Sequence, residues 1–333
     1  MRSETFFREI ALSVVTAEFL GGGWNMKSRF VSLIVGIVGC TLLITAPATG
    51  QSRYSWHNDQ ERACPMVRDF AAFHACALEN MGSFEPPRTP DGKPDLNGIW
   101  RPTRSAQDIE DIPEGKYGSF PASKSLLVAP SDGKFPYKPW AMKERFNNEQ
   151  VYLSPTAVCL PVAQPRWSYS PVSVTGHRII QQEDLIVFSM ERLHTYRMIH
   201  MDDRPRLPED LHLWQGDSRG HWDGNTLVIN TTNLNDLMWM DHIGTFMSPD
   251  VVTEERITYV DQDTLHYEQT VTDPNTFTQP WTISLAFLRQ YPSNPVDTMD
   301  LEDTSIENCE EELIHMMNVG QVPFPGFEAI APQ

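Results

Sequence analysis

From residue 172 to residue 289 the chain repeats one pattern, and that pattern restricts its possible folds more than any other feature. Short runs of apolar and β-branched residues, Val172 to Ile180, Leu185 to Met190 and Leu193 to Met201, follow one another with tight breaks. Gly220-His221-Trp222 then leads through Asp223-Gly224 into Thr226 to Thr232. Asp-Gly between apolar flanks is a strong hairpin signal, because both central residues of the tight turn need positive φ. Val251 to Val260 and Thr264 to Thr272 form a second hairpin around Asp261-Gln262-Asp263, and Trp281 to Arg289 closes the series. Strands joined by hairpins must dispose of their edges, so the expectation is an antiparallel barrel or sandwich. The strand–helix alternation of a doubly wound sheet is absent.

Composition decides between broad classes. An apolar fraction of 40% with 10% aromatics supplies a core, which excludes global disorder. The formal charge of −18 argues against nucleic acid or an anionic membrane, because phosphate binding needs clustered Lys and Arg. No Walker loop, dinucleotide-binding glycine fingerprint, His-Glu-x-x-His or Cys-x-x-Cys occurs. The expected partner is therefore a small-molecule ligand or substrate, with no cofactor and no metal.

The N-terminus reads as an address. Met26-Lys27-Ser28-Arg29 is a short basic region, Phe30 to Ala46 is almost wholly apolar, and Ala48-Thr49-Gly50 offers small residues before a cut at Gln51. That is the grammar of a secretory signal. The expected organisation is an upstream extension over 1–25, a signal peptide over 26–50, a helical preface and linker over 51–88 and a barrel over 89–333. Export to the periplasm or beyond follows, with no membrane span once the signal is removed. Ile37-Val38-Gly39-Cys40 resembles a lipobox, so a lipid anchor at Cys40 is the alternative.

Four cysteines remain after such a cut: Cys64, Cys76, Cys159 and Cys309. An even number in an oxidising compartment suggests two disulfides. A continuous helix from Cys64 to Cys76 would hold its ends roughly 18 Å apart, far beyond the roughly 7 Å limit for a bridge. Cys159–Cys309 is the preferred pairing, and Cys64–Cys76 requires a broken helix.

Residues 86–95 are a linker dense in Pro and turn formers. Residues 102–150 lack periodicity and read as long loops with one short helix near Trp140 to Phe146. Thr89-Pro90-Asp91-Gly92-Lys93-Pro94-Asp95-Leu96-Asn97-Gly98-Ile99-Trp100 and Gly216-Asp217-Ser218-Arg219-Gly220-His221-Trp222-Asp223-Gly224-Asn225-Thr226-Leu227-Val228 resemble segments of a family of secreted, largely uncharacterised bacterial proteins. Asn235-Asp236, Trp239-Met240-Asp241 and Thr253-Glu254-Glu255-Arg256 extend the resemblance over roughly 89 to 310. Met247 stands where that family often has His. The resemblance, with its Gly-x-Trp on the first strand, implies a mainly β fold, an antiparallel lipocalin-like β-barrel with a short N-terminal helical segment, and it transfers no reaction.

Candidate chemistry lies in three places. On Leu193 to Met201, period two puts His194, Tyr196, Met198 and His200 on one face and Arg197 on the other. Alternation alone does not decide which face is inward; the expectation is that the His and Tyr face lines a cavity. Those two histidines lie about 20 Å apart along the strand, too far to share a metal. Second, Asp241 and His242 follow Trp239 in a loop rich in tryptophan (Trp214, Trp222). Desolvation there would raise the pKa of Asp241 and make it a usable acid or base. Third, Glu254 and Arg256 share a strand face, either as a structural pair inside the barrel or with Arg256, like Arg197, holding a substrate anion. Ser218 mimics a Gly-x-Ser-x-Gly elbow, but a hairpin follows it where a hydrolase needs a helix.

Two functions fit these residues. One is acid–base chemistry of the lyase, hydratase or isomerase kind on a small, partly apolar molecule. In it His200 or Asp241 moves the proton, His194 and Tyr196 donate hydrogen bonds, and Arg197, Arg256, Trp239, His242 and Glu254 contact substrate. The other is a non-enzymatic binding or carrier protein using the same cavity.

Overall fold

A computed structural model describes residues 62–64, 69–103, 108–114, 122–152, 154–158, 160–161, 164, 166, 177–190 and 195–290. The expectations for residues 1–50, for Cys159 and Cys309, and for His194 fall outside these residues. No described helix is long and apolar enough to cross a membrane.

Ten strands form one sheet: β1 (Gly98–Pro102), β2 (Leu127–Ala129), β3 (His177–Gln181), β4 (Leu185–Met190), β5 (Tyr196–His200), β6 (Asp217–Asp223), β7 (Thr226–Thr232), β8 (Val252–Asp261), β9 (Thr264–Thr272) and β10 (Trp281–Gln290). β3 to β10 follow each other in sequence order, and β1 pairs with both β3 and β10. Nine strands thus close into a barrel, with β2 added along the first residues of β10. The expected mainly-β barrel is what the chain folds into, with one correction: β5 and β6 run parallel (Ile199 opposite Ser218). Residues 201–216 between them are long enough to carry the chain back across the barrel, as a parallel pair requires and a hairpin cannot do.

Both ends of the barrel are closed. At one end Trp100 is fully buried, donates its indole N–H to Leu96 O (2.8 Å) and lies beneath the Arg289 guanidinium (4.2 Å). The preceding linker lies over this end: Tyr259 donates to Asp95 O (2.5 Å), and Gln181 donates to Pro94 O (3.0 Å). The Trp of the Gly-x-Trp motif is thus a stopper, joined to the last strand by a cation–π contact. At the other end sit the β7–β8 connection (233–251), the β9–β10 connection (273–280) and buried Gln164 and Arg166. Gln269, inside the barrel, donates to Gln164.

Helix α1 (Phe70–Asn80) lies on the outside. Asp69 caps it by accepting from Ala72 N (3.0 Å), satisfying one of the orphan amides of the first turn. Phe70, Phe73 and Ala77 are its buried residues, and Phe73 and Ala77 pack with Val260, Ala286 and Leu288. Because the helix begins only at Phe70, Cys64 is not on it. Cys64 and Cys76 come to 5.8 Å between Cα atoms and are bridged. The pair requires that no continuous helix run from Cys64 to Cys76, and the helix start at Phe70 meets that requirement. Helix α2 (Pro139–Val151) has Pro at its first position, where the missing N–H costs nothing. It buries only Ala141 and Asn148.

Candidate functional site

Inside the barrel the odd-numbered residues of β5, β8 and β9 point inward. Arg197 of β5 is 3% exposed and meets Glu255 of β8, fully buried, at 2.5 Å. Arg197 also donates to Ser218 Oγ (2.9 Å) and Thr231 Oγ1 (2.7 Å), and Tyr267 donates to the second Glu255 oxygen (2.7 Å). Both Glu255 oxygens and the Arg197 Nε and Nη2 are hydrogen-bonded, and removing one partner of such a buried pair is costly. Its atoms are engaged with each other, so it offers a substrate little.

The inward and outward faces of β5 are the reverse of the expectation. Tyr196 is 62% exposed and Met198 is exposed, while Arg197 and Ile199 are buried. His200 lies on the same outer face, among Asp202, Arg204, Asp217 and Arg219; burial and then the two arginines lower its pKa. Ile199 packs into the core cluster, and Glu255 neutralises the arginine that comes with it. On β8 the same reversal holds. Glu254 and Arg256 are outside, where Arg256 pairs with Asp223 (2.8 Å) and more loosely with Glu254 (3.9 Å). The expected constellation of Tyr196 and His200 with Asp241 is therefore not assembled, nor is a Glu254–Arg256 pair inside the barrel.

Asp241 does stand in an unusual place. It is fully buried in the turn that follows Trp239, itself buried, and Met240. Its Oδ1 accepts from Ile243 N and Thr245 N, both at 3.0 Å, and Met240 N donates to Thr245 O to close the turn. Arg166 fixes the turn from behind, donating to Trp239 O (3.3 Å), Asp241 O (3.1 Å) and Ser154 Oγ (2.9 Å). Oδ2, the Tyr137 hydroxyl and the Thr245 hydroxyl have no well-formed hydrogen bond with a described group, although the Thr245 side chain lies near enough to interact with both Asp241 and Tyr137. Burial, and secondly the negative charge of Asp108, push the Asp241 pKa up to about 6; Thr245 and Arg145 pull against them. Burial and then the Asp241 charge raise the Tyr137 phenol well above its ordinary value, with Thr245 again opposing. Thr245 is thus close to both groups.

The walls around this cluster are aromatic. Phe135 packs edge-on to Trp281 (5.0 Å between ring centroids), and Tyr137 packs on Phe277 (5.1 Å). Trp222 belongs to the opposite end of the barrel, beside the Asp223-Gly224 turn, so the expected grouping of tryptophans is replaced by these four rings. Helix α2 covers the turn. Asn148 donates to Gly244 O (3.2 Å). Gly244 has φ +84°, and a Cβ there would come within 2.6 Å of Asn148 and 2.8 Å of Arg145 O; only glycine allows both the conformation and the approach.

Sequence reasoning found Asp241, Trp239 and Arg197 but not Tyr137, Thr245, Asp108 or Glu255. For Glu255 a signal existed: Ile257 and Tyr259 share its face of β8 and mark that face as inward. Tyr137, Thr245 and Asp108 come from aperiodic connections and carried none. His242 is half-buried beside Asp241. No protein-family model matches this chain, and no curated protein matches it.

Proposed function

We propose that the protein carries out acid–base chemistry on a small, partly apolar molecule at the end of the barrel that holds Asp241, a lyase, hydratase or isomerase type of reaction. Asp241 is the proton carrier. The observation behind this reading is a fully buried carboxylate with one oxygen held by two backbone amides, the other without a well-formed hydrogen bond to any described group, and a pKa of about 6. A group that titrates near neutrality both accepts and returns a proton, which is what a general acid–base catalyst needs. Tyr137, whose phenol stays protonated, is the hydrogen-bond donor to a substrate oxygen, and the four rings receive its apolar part.

Entry requires α2 to lift from the turn. That helix is suited to it: its buried residues are Ala141 and Asn148, Phe146 is 59% exposed, and Trp140, 53% exposed, reaches the connection through a tilted ring contact with Phe246 (5.8 Å); elements with so little buried apolar surface open at low cost. A second reading, binding without turnover in the same exported location, draws on the same aromatic walls.

Proton exchange separates the two. The full chain is incubated in D2O with a panel of small apolar ketones and 2-oxo acids, and NMR follows C–H to C–D exchange. Turnover that Asp241→Asn reduces by roughly 10²–10⁴ supports catalysis. Saturable binding with no exchange on any member supports the carrier, and exchange untouched by Asp241→Asn removes Asp241 from the chemistry.

A further inference from the structure

On the outer wall, away from Asp241, helix α1 brings a histidine against the sheet. His74 follows Phe73, one of the residues that seat the helix. Beneath it is His266 of β9, 2% exposed. Glu268 lies two residues on and therefore on the same outer face. His74 Nδ1 is 3.0 Å from His266 Nε2 and 3.8 Å from Glu268 Oε2. One ligand atom from each of the three residues falls within 4.8 Å of the others.

Hydrogen bonding alone explains this arrangement poorly. A ring nitrogen has one in-plane site, a donor or an acceptor, yet two groups converge on His266 Nε2: His74 Nδ1 and Ser284 Oγ, each at 3.0 Å. Among the described residues Glu268 has no Arg or Lys partner, and the one ion-pair contact it makes there is with His74. Its cross-strand neighbour Arg256 turns instead to Asp223 and Glu254. Two imidazoles and a carboxylate thus converge between the helix and the barrel.

We propose that His74 Nδ1, His266 Nε2 and a Glu268 carboxylate oxygen bind a divalent zinc ion. Bonds of about 2.0–2.1 Å in a tetrahedron put ligand atoms roughly 3.3 Å apart, between the 3.0 Å and 3.8 Å contacts already present. Small side-chain shifts complete the site. Two nitrogens and one oxygen are a donor set that suits zinc, and they leave its fourth position to water. Ser284 is placed to hydrogen-bond that water. The ion pins α1 to β9 across 192 positions of sequence, beside the clasp made by the Cys64–Cys76 bridge. His74 and Glu268 are 20% and 23% exposed, so the ion has a path from solvent.

The test uses the full chain, stripped with chelator and dialysed. Zinc titrated by calorimetry should bind at one ion per chain and raise the melting temperature. Cobalt(II) in its place should give the intense visible absorption of a four-coordinate ion. His74→Ala and Glu268→Gln, at partly exposed positions where folding is checked by circular dichroism, should each weaken zinc binding by more than the roughly 10–100-fold that loss of an outer-shell partner costs. His221→Ala, at an exposed histidine elsewhere, should leave binding unchanged. The proposal is overturned if the wild type binds no stoichiometric zinc, or if both His74→Ala and Glu268→Gln bind as the wild type does.

Discussion

Replacing Asp241 by Asn should make the protein more stable at neutral pH, although the side chain is wholly buried and hydrogen-bonded. Asn keeps an oxygen where Oδ1 accepts from Ile243 N and Thr245 N, so the turn retains its shape. What disappears is the charge. Burial and Asp108 move the carboxyl pKa from 3.8 to about 6 in the folded state, a difference worth up to about 3 kcal/mol. Between those two values the folded protein holds a proton that the unfolded chain gives up. Wild-type stability therefore falls as pH rises through this window, and the full penalty persists above it. Buried His177 and His266 act in the opposite sense. Burial lowers both to about 3 in the folded state, so the unfolded chain takes up protons first and stability falls as pH falls below about 6.5. They are common to both proteins and cancel in the difference. Urea unfolding followed by tryptophan fluorescence, at intervals from pH 4 to pH 8, should show the variant gaining on the wild type by about 2–3 kcal/mol across the range. A difference that does not change with pH means that Asp241 titrates as an ordinary carboxylate, and the reasoning about its site fails.

Other substitutions test the rest of the structure. Glu255→Ala should cost about 3–5 kcal/mol by stranding Arg197 in the core, and a well-packed apolar replacement of both residues should recover most of it; denaturant midpoints decide. Cys76→Ser opens a loop of 12 residues and should cost about 3 kcal/mol in the chain-entropy model, read as a fall in melting temperature that reductant reproduces in the wild type. Tyr196→Ser, on the outer face, should change stability by less than about 0.5 kcal/mol and leave ligand binding at its wild-type value. A loss of binding there would restore the inward reading of β5.

The sequence made the sheet legible where strands are joined locally. Leu185–Met190, Thr226–Thr232 and Thr264–Thr272 have the bounds that their composition and turns indicate, because a hairpin is decided by its own few residues. Facing was harder. Arg197 turns inward only because Glu255, 58 positions later, meets it, and alternation along one strand carries no information about such a partner. The parallel β5–β6 pair escaped for the same reason: nothing in residues 201–216 announces the direction in which the chain returns. Asp241 was legible as a carboxylate among apolar neighbours, and burial raises its pKa as that setting implies. Tyr137 and Thr245 were not, since the connections that bring them together have no period to read. The Cys64–Cys76 bridge is excluded only by an unbroken helix, and Asp69, a good capping residue, marks the start at Phe70 that lets the bridge form.

The most direct test of the site is a crystallographic soak of the full chain with small fragments carrying a carbonyl or carboxyl group, near pH 6. A fragment bound within hydrogen-bond reach of both Asp241 Oδ2 and the Tyr137 hydroxyl, with its apolar part against Phe135, Phe277 and Trp281, is the expected result. Fragments that bind only elsewhere, with Oδ2 bonded to a protein group and α2 seated on Gly244, would contradict the account.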